Sequence, residues 1–436
     1  MVTAWSPAAF RHRCHEAFSG DTTQQQAATG RFGVNRPPEH DEVATANSPR
    51  AMTVAVAGML LLAAAMGVGR FAYTPLLPPM REALGWSLAA AGDVASANFI
   101  GYLIGALLAA SLAQRGTRAN WLLVGMIGSA ATTAFGAWCD SLTAWLLIRL
   151  LSGVASAFCL VLGTATIVEY LVDRRRPGLS AVYFAGVGAG IVLSVAVIEG
   201  VRWSGGSVHA QWGGLGVMTT LLLAWSWSVL RRLPVSRHAA TGGTQTAVAT
   251  PTARQALVRL IVAYGLFGFG YVVTATFIVA MARGLDHAVL VEPLTWAVVG
   301  LLAAPSVAFW QHFARRSGLF TALRVAFAVE AIGVLLAGYG SGAPALLLGG
   351  ALLGATFMGI TAMGLSAARG IAGRHSGQVI GWMTAMFGLG QLIGPAVAGR
   401  LAEMSGGFGL PSLVAAVLLV IGLLLLRDPA SPIDRS

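Results

Sequence analysis

Long apolar segments alternate with short polar connections between residues 52 and 427 of the chain. A helix needs about 20 apolar residues to cross the hydrocarbon core of a bilayer, and twelve segments reach that length. The pattern therefore predicts an all-α integral membrane protein with twelve transmembrane helices. The predicted spans are residues 52–80, 88–113, 121–139, 143–167, 178–201, 209–230, 258–283, 289–313, 319–339, 342–367, 378–401 and 407–427.

One long hydrophilic connection divides these helices six and six. It contains "TGGTQTAVATPTARQA", whose composition is typical of a flexible linker. We therefore predict an N-terminal six-helix bundle at 51–230, a cytoplasmic linker at 231–257, a C-terminal six-helix bundle at 258–427 and a C-terminal tail at 428–436. Residues 1–50 are rich in Gln, Thr, Ala and Pro, which predicts a disordered N-terminal tail, and we hypothesise that translation begins at Met52.

The two halves resemble each other at a nearly constant offset. An offset of 201 pairs Gly67, Gly69 and Met80 of "GVGRFAYTPLLPPM" with the same residues of "GFGYVVTATFIVAM", and it also pairs Gly153 with Gly354. An offset of 202 pairs "GVGAG" with the glycines of "GLGQL". Such a parallel internal repeat is typical of certain secondary transporters.

Composition and charge fit a membrane protein. Hydrophobic residues make up 56% of the chain and charged residues 10%, and the net charge is +11. Arginines concentrate in connections after even-numbered helices, which by the positive-inside rule places both termini in the cytoplasm. The basic charge therefore needs no nucleic-acid partner. The three cysteines have no metal-ligand or disulfide spacing, and the sequence contains no ATPase or hydrolase motif, so we expect neither an enzyme nor a cofactor.

Several motifs resemble those of the major facilitator superfamily. They are "RLLSGVASA", which includes Arg149, the helix-eleven segment "GLGQLIGPAVAG", and "GVGRFAYTPLLPPM", which is similar to the opening of the YbfB/YjiJ branch. The resemblance implies two six-helix bundles that move a small solute by alternating access in the bacterial inner membrane. It also associates the helix-four arginine with proton coupling.

A cytoplasmic gate is a further expectation from this resemblance. The superfamily usually carries an acidic residue between helices 2 and 3, where this chain has Gln114. Acidic partners for the arginines of that turn are then expected from the end of helix 4. The predicted gate residues are Arg115, Arg118, Glu169, Asp173, Arg315 and Arg316.

Arg70 lies about 15 Å into helix 1, close to the bilayer midplane. A charged residue there costs about 3 kcal/mol on insertion scales, so it normally faces a cavity or a partner. Arg70 is therefore predicted to engage a polar or anionic substrate group, with Tyr73 and Thr74 as neighbouring donors. A structural pairing with Asp93 remains the alternative. Pro75 should bend the helix just beyond Arg70 because it lacks an N–H group.

Other intramembrane polar residues extend the candidate site. Glu330 lies near the midplane of helix 9, where a carboxyl group either carries the coupled proton or forms a neutral hydrogen bond between helices. Arg149 either takes part in coupling or extends towards the outer surface. The proton-coupling candidates are thus Asp93, Arg149 and Glu330. Further candidates that line the cavity are Asn98, Tyr102, Tyr271 and Gln391.

The sequence therefore predicts a secondary active transporter of a small organic solute, with proton-coupled export as the preferred mode. A uniporter, an importer or a membrane sensor that does not transport remain alternatives. The expected partners are a small-molecule substrate, the lipid bilayer and protons, and a monomer is expected.

Overall fold

The apolar segments form helices in the computed structural model, which describes residues 49–112, 117–233, 251–373 and 376–428. Residues 1–48, Gln114, Arg115, most of the predicted linker and most of the C-terminal tail lie outside these ranges, so the predictions for them stay predictions. Regular structure in the described ranges is helical throughout. The helices are α1 (Ala51–Leu84, interrupted), α2 (Leu88–Leu112), α3 (Arg118–Phe135), α4 (Leu142–Asp173), α5 (Ser180–Trp203), α6 (Val208–Leu230), α7 (Pro251–Ala282), α8 (Ala288–Ser317), α9 (Leu319–Tyr339), α10 (Gly342–Ala372), α11 (Ser376–Ser405) and α12 (Gly409–Leu425).

Eleven of these helices are long and apolar enough to cross a membrane, and α12 is a shorter apolar helix. The prediction of an all-α membrane protein with twelve helices is therefore confirmed. Within each half, α2 packs on α4 and α8 packs on α10. Between the halves, α2 packs on α11 and α5 packs on α8.

Close helix contacts at glycine follow the internal repeat. A Cβ atom on Gly153 of α4 would lie 2.0 Å from the carbonyl oxygen of Asn98 in α2. A Cβ atom on Gly354 of α10 would lie 2.3 Å from the carbonyl oxygen of Val299 in α8. Both residues of the first pair are related to those of the second by the predicted offset of 201. The repeat therefore reflects equivalent helix packing in the two halves.

The predicted offset for α5 and α11 is wrong by two residues. Gly67 meets the carbonyl oxygen of Val187, and its repeat partner Gly268 meets that of Phe387, which gives an offset of 200. The reason lies in "GVGAG", where glycines recur at every second position. A shift of two residues superimposes glycine on glycine, so the sequence match alone does not fix the register.

Helix α1 is interrupted in its middle. Its first α-helical part, Ala51–Leu62, is followed by a π-helix at Ala63–Val68 and a turn at residues 69–72, and the α-helix resumes at Tyr73–Leu84. The backbone N–H of Thr74 donates to the carbonyl of Phe71, the group that Pro75 cannot serve. The bend predicted from Pro75 is present, and it extends back through Arg70.

The two ends of the bundle differ in the connections that they carry. The loop-1 end carries residues 85–87, which join α1 to α2. The linker end is the opposite end, where α6 ends and α7 begins. The site described next lies between these ends, where α1, α2, α7, α10 and α11 meet.

Candidate functional site

Arg70 lies in the interrupted part of α1, and only 4% of its surface is exposed. Its guanidinium carbon lies 4.5 Å from the centre of the Phe99 ring and 4.3 Å from that of the Tyr102 ring, both on α2. Phe99 and Tyr102 are three residues apart, so they share one face of the helix. The guanidinium group is therefore held by two aromatic rings through cation–π contacts.

Gln391 connects this cation to the other half of the chain. The Arg70 Nη2 atom donates to the Gln391 Oε1 atom at 2.7 Å. The Gln391 amide nitrogen in turn donates to the Tyr271 hydroxyl. Four of the candidate residues thus lie together, contributed by α1, α2, α7 and α11: Arg70, Tyr102, Tyr271 and Gln391.

Tyr271 is fixed by parallel ring stacking. Its ring lies 5.7 Å from that of Phe357 and 5.8 Å from that of Phe387, with interplanar angles of 5° and 4°. Phe71, Trp296, Phe357 and Tyr271 also border a narrow apolar gap, which has no room for a water molecule. Phe71, Trp296, Phe357 and Phe387 were missed in the sequence, because an aromatic residue in an apolar helix is indistinguishable from one that faces lipid.

Arg149 is buried beside the interruption of α1. Its guanidinium donates to the carbonyl oxygens of Gly69 at 2.9 Å and of Arg70 at 3.0 Å. Ser152, one turn further along α4, also donates to the Gly69 carbonyl. Arg149 therefore holds the backbone of the interrupted segment and does not extend to the surface, the alternative considered from the sequence.

No carboxylate within the described ranges lies within ion-pair distance of either Arg70 or Arg149. The Arg70 Nε and Arg149 Nε atoms are buried without a hydrogen-bond partner. The centre of the protein thus contains two buried cations and no described counter-ion.

Asp93 is not the partner of Arg70, and that alternative is wrong. Its carboxylate forms two hydrogen bonds with Arg400 of α11, at 2.7 and 2.9 Å. Both residues lie near the loop-1 end, because Asp93 is only five residues into α2. The distance along the helix, not the charge, decides which arginine Asp93 meets.

Three other candidates bond to the backbone of neighbouring helices. Tyr73 donates to the Ala91 carbonyl, Thr74 donates to the Ala275 carbonyl and Asn98 donates to the Arg149 carbonyl. Their side-chain donors are therefore engaged in interhelical bonds in this conformation. The Asn98 Oδ1 atom has no described partner.

Glu330 is fully buried in α9. Its Oε2 atom accepts a hydrogen bond from the Thr356 hydroxyl of α10, whereas its Oε1 atom has no partner among the described residues. No described arginine forms an ion pair with it. Among the described residues, the carboxyl group therefore has no hydrogen bond or ion pair with either of the two buried cations.

Described ion pairs between the two halves lie at the loop-1 end. Glu82 of α1 pairs with Arg283, which also pairs with Glu292 of α8 at 2.6 Å, and Asp93 pairs with Arg400. Burial disfavours the charge of Arg283, but the two glutamates overcome this and raise its pKa. The pairs hold the halves together at this end.

The predicted gate residues lie at the linker end. Arg118 pairs with Glu169 at 2.7 Å, within the N-terminal half. Asp173, Arg315 and Arg316 are exposed, and Arg115 lies outside the described residues. A gate between the halves at the linker end therefore stays a prediction.

The family to which the chain belongs is shown by a match to a family model. The family described as "Uncharacterised MFS-type transporter YbfB" matches residues 62–427, most of the chain. The chain belongs to this family of major facilitator transporters. It is accordingly a multi-pass membrane protein of a transporter family, as the sequence predicted.

Two curated relatives match part of this transporter. One is the "Chloramphenicol resistance protein" of Streptomyces lividans, 30% identical over 185 residues, which are 41% of this chain and 45% of the relative. The other is the "Gallate transporter" of Pseudomonas putida, 30% identical over 197 residues, which are 41% of this chain and 43% of the relative. The matched region thus spans less than half of either relative.

Solved structures agree on the fold. The nucleoside transporter NupG superimposes with a TM-score of 0.62, at 16% identity and over 86% of this chain and 96% of that structure. A point mutant of NupG gives a TM-score of 0.64, at 16% identity and over 86% and 98% of the two chains. The two-bundle architecture predicted for this transporter is therefore confirmed.

Proposed function

We propose that this transporter exports a small organic anion in exchange for protons by alternating access, from the bacterial cytoplasm across the inner membrane. In this proposal the linker end and both termini face the cytoplasm, as the distribution of arginines predicts. The solute binds at Arg70, Tyr102, Tyr271 and Gln391. Glu330 carries the proton.

The observation that carries the proposal is the pair of buried arginines without a counter-ion. Burying a charge in a membrane protein is costly, and such residues normally face a partner or a water-filled path. Arg149 already bonds to two backbone carbonyls, whereas Arg70 meets only a neutral amide and aromatic rings. An anion is the ligand that compensates the charge of Arg70.

Aromatic rings around Arg70 favour a flat solute. Phe99, Tyr102, Phe71 and Tyr271 offer ring faces and edges, against which a planar group packs well. Gallate, the compound in the name of one relative, combines an aromatic ring with a carboxylate. We therefore take gallate as the first probe and chloramphenicol, which has a ring but no carboxylate, as its neutral counterpart.

Glu330 is proposed as the proton carrier because it is the fully buried carboxyl of the described helices with one oxygen free of hydrogen bonds. A carboxyl group in an apolar environment is able to bind and release a proton within the physiological range. Phe327, on the same helix as Glu330, packs on Phe267, and Phe267 stacks on Tyr271. In this proposal these rings link the proton carrier to the solute site.

The proposed cycle uses the ion pairs at the loop-1 end as the outer gate. In the described conformation Glu82–Arg283 and Asp93–Arg400 join the halves, which closes the central site on that side. Release to the outside then requires both pairs to separate. Export is the proposed direction because one relative is named for resistance to an antibiotic, which an exporter confers.

Transport of labelled gallate into proteoliposomes tests the proposal, with the membrane potential clamped. An anion–proton exchanger accumulates gallate in vesicles with an acidic interior, because outward proton flow drives the anion inward. Passive permeation of a weak acid gives the opposite distribution, so leakage cannot imitate this result. If gallate accumulates only in vesicles with an alkaline interior, and to a higher level than in vesicles without the protein, the transporter is an importer. Gallate flux that does not respond to the pH gradient would establish a uniporter.

Arg70→Leu is the variant that tests the site. We expect gallate transport to be abolished while the protein inserts and purifies normally. Arg324→Leu is the matched control because Arg324 is exposed in α9, outside both the site and the predicted gate, and transport by this variant should persist. Gallate transport by Arg70→Leu at the wild-type rate would remove Arg70 from the site, and saturable binding without flux in any gradient would favour the sensor alternative.

A further inference from the structure

We infer that Gln391 is an internal ligand of Arg70, which occupies the position of the solute's acceptor oxygen while the site is empty and which the solute anion displaces. This inference rests on the proposed function, since it takes Arg70 to be the anion-binding group. It adds a residue that sets specificity and couples solute binding to the contact between the halves.

The geometry of the amide is fixed on both sides. The Arg70 guanidinium group only donates hydrogen bonds, so the Gln391 oxygen and not its nitrogen must face Arg70. The Tyr271 hydroxyl accepts from the nitrogen, which holds the oxygen in place at 2.7 Å from Nη2. Gln391 is fully buried and Arg70 almost so, which means that water does not compete for this bond.

An amide in this position has a chemical consequence. Its oxygen is a neutral acceptor, so it orients the guanidinium group without neutralising it. A carboxylate adds an attraction between opposite charges that the amide oxygen lacks, and it presents two oxygens to the planar guanidinium. An anion therefore displaces Gln391 favourably, whereas a neutral solute of the same shape exchanges one neutral acceptor for another and gains little.

The bond also links the two halves. Arg70 belongs to α1 and Gln391 to α11, a separation of 321 residues. Nearby, Gly390 of α11 packs directly against the backbone of α7, where a Cβ atom would lie 2.2 Å from the Gly265 carbonyl oxygen. Gln391 is thus anchored to the C-terminal half. When an anion takes its place at Arg70, one central hydrogen bond between the halves is removed.

Variants of Gln391 with opposite expected effects test the inference. Gallate affinity is measured by isothermal titration calorimetry on the full-length protein in detergent, together with the melting temperature without ligand. Gln391→Ala removes the competing acceptor, so gallate should bind about tenfold more tightly. Gln391→Glu places a carboxylate against Arg70, so gallate should bind about a hundredfold more weakly because of like-charge repulsion.

Gln211→Glu is the matched control, because Gln211 is a similarly buried glutamine in α6 outside the site. Its gallate affinity should equal that of the wild type. Without ligand, Gln391→Glu should melt at a higher temperature than Gln391→Ala because it supplies a counter-ion to Arg70. In an Arg70→Leu background the order should reverse, since the new carboxyl group is then buried without a partner.

The outcomes separate this inference from the proposed function. Gallate affinity in Gln391→Ala that equals or falls below that of the wild type would overturn the displacement, even where Arg70→Leu loses binding and the proposed site stands. A wild type that does not bind gallate contradicts the proposed solute. The ligand-free melting temperatures then decide the inference, and a Gln391→Glu variant no more stable than Gln391→Ala overturns it.

Discussion

Helices α1 and α7 occupy equivalent places in the internal repeat, yet only α1 is interrupted. The offset of 201 matches Pro75, Pro78 and Pro79 of α1 with Thr276, Val279 and Ala280 of α7. Helix α7 runs continuously over Pro251–Ala282, whereas α1 contains a π-helix and a turn. The interruption therefore comes from the local sequence and not from the position in the fold.

The chemistry of the two halves differs at the same positions. Arg70 of α1 corresponds to Tyr271 of α7, and Arg149 of α4 corresponds to Gly350 of α10. In one pair the charged residue lies in the C-terminal half instead: the neutral Ser129 of α3 corresponds to the acidic Glu330 of α9. The N-terminal half thus supplies two cations, while the C-terminal half supplies stacked rings, an amide and a buried acid. A repeated scaffold provides the positions, and the departures from the repeat provide the candidate site.

Among the variants that test this comparison, Thr276→Pro should have the largest effect on folding. It places in α7 the type of residue that interrupts α1, where neither a π-helix nor an arginine clamp exists to accommodate it. A proline inside a continuous helix costs about 3 kcal/mol or more. We expect little folded protein by size-exclusion chromatography, whereas Thr276→Ala should fold. A Thr276→Pro protein that melts with the wild type would show that the fold itself, not the prolines, decides where a helix breaks.

Arg149→Met should come next. The change removes the donors to the Gly69 and Arg70 carbonyls, and hydrogen bonds from charged groups contribute about 1.5–3 kcal/mol. We therefore expect a lower melting temperature and weaker gallate binding together, because the interrupted segment carries Arg70. Arg149→Lys retains the positive charge but has a single nitrogen in place of the guanidinium group. This variant should recover part of the melting temperature and part of the gallate affinity. Unchanged stability in Arg149→Met would mean that the interruption holds its shape without the clamp.

Glu330→Gln is expected to change coupling more than stability. Glutamine has nearly the same shape as glutamate and keeps the hydrogen bond with Thr356, but it cannot release a proton. Gallate flux driven by its own gradient should persist, while the response to an acidic vesicle interior should vanish. Thr356→Val, which leaves the carboxyl group in place, should retain that response. A pH response of wild-type size in Glu330→Gln would move proton coupling to another residue.

The smallest effect is expected for Asp93→Asn. Asp93 and Arg400 are both substantially exposed, and such pairs contribute about 0.2–1 kcal/mol. The melting temperature should fall by a few degrees at most, and less in high salt. Arg283→Gln, which breaks an exposed ion pair with Glu82 and a partly buried one with Glu292 at the same end, should have the larger effect. The reverse order would make the Asp93 pair the principal contact of the outer gate.

The sequence predicted the fold well because its signals are local. Twelve apolar segments of bilayer length specify twelve helices, and Pro75 specifies a bend near Arg70. The depth of Arg70 and Glu330 also follows from counting residues along a helix. Which side chains meet between helices does not, since it depends on rotation and crossing of helices far apart in the chain.

Asp93 illustrates the limit. From the sequence, only Arg70 was considered as a partner for its carboxylate, and the packing of α2 on α11 brings Arg400 to it instead. Phe99 shows the same limit for apolar residues, since nothing in the sequence distinguished its ring from a lipid-facing one. The shift of two residues between α5 and α11 was hidden because repeated glycines fit either register.

Thr74 donates its hydrogen bond to Ala275, which is its own counterpart in the repeat. Residues that touch their counterparts lie on the pseudo-twofold axis, just as they do in an isologous dimer. In a true dimer of two identical half-length chains, every residue is present twice. An arginine at position 70, close to the axis, would therefore face a second arginine on the other side of the axis. A single chain that contains both halves escapes this repulsion. Joining the halves in one chain therefore allows position 70 to carry an arginine while its counterpart, position 271, carries a neutral tyrosine.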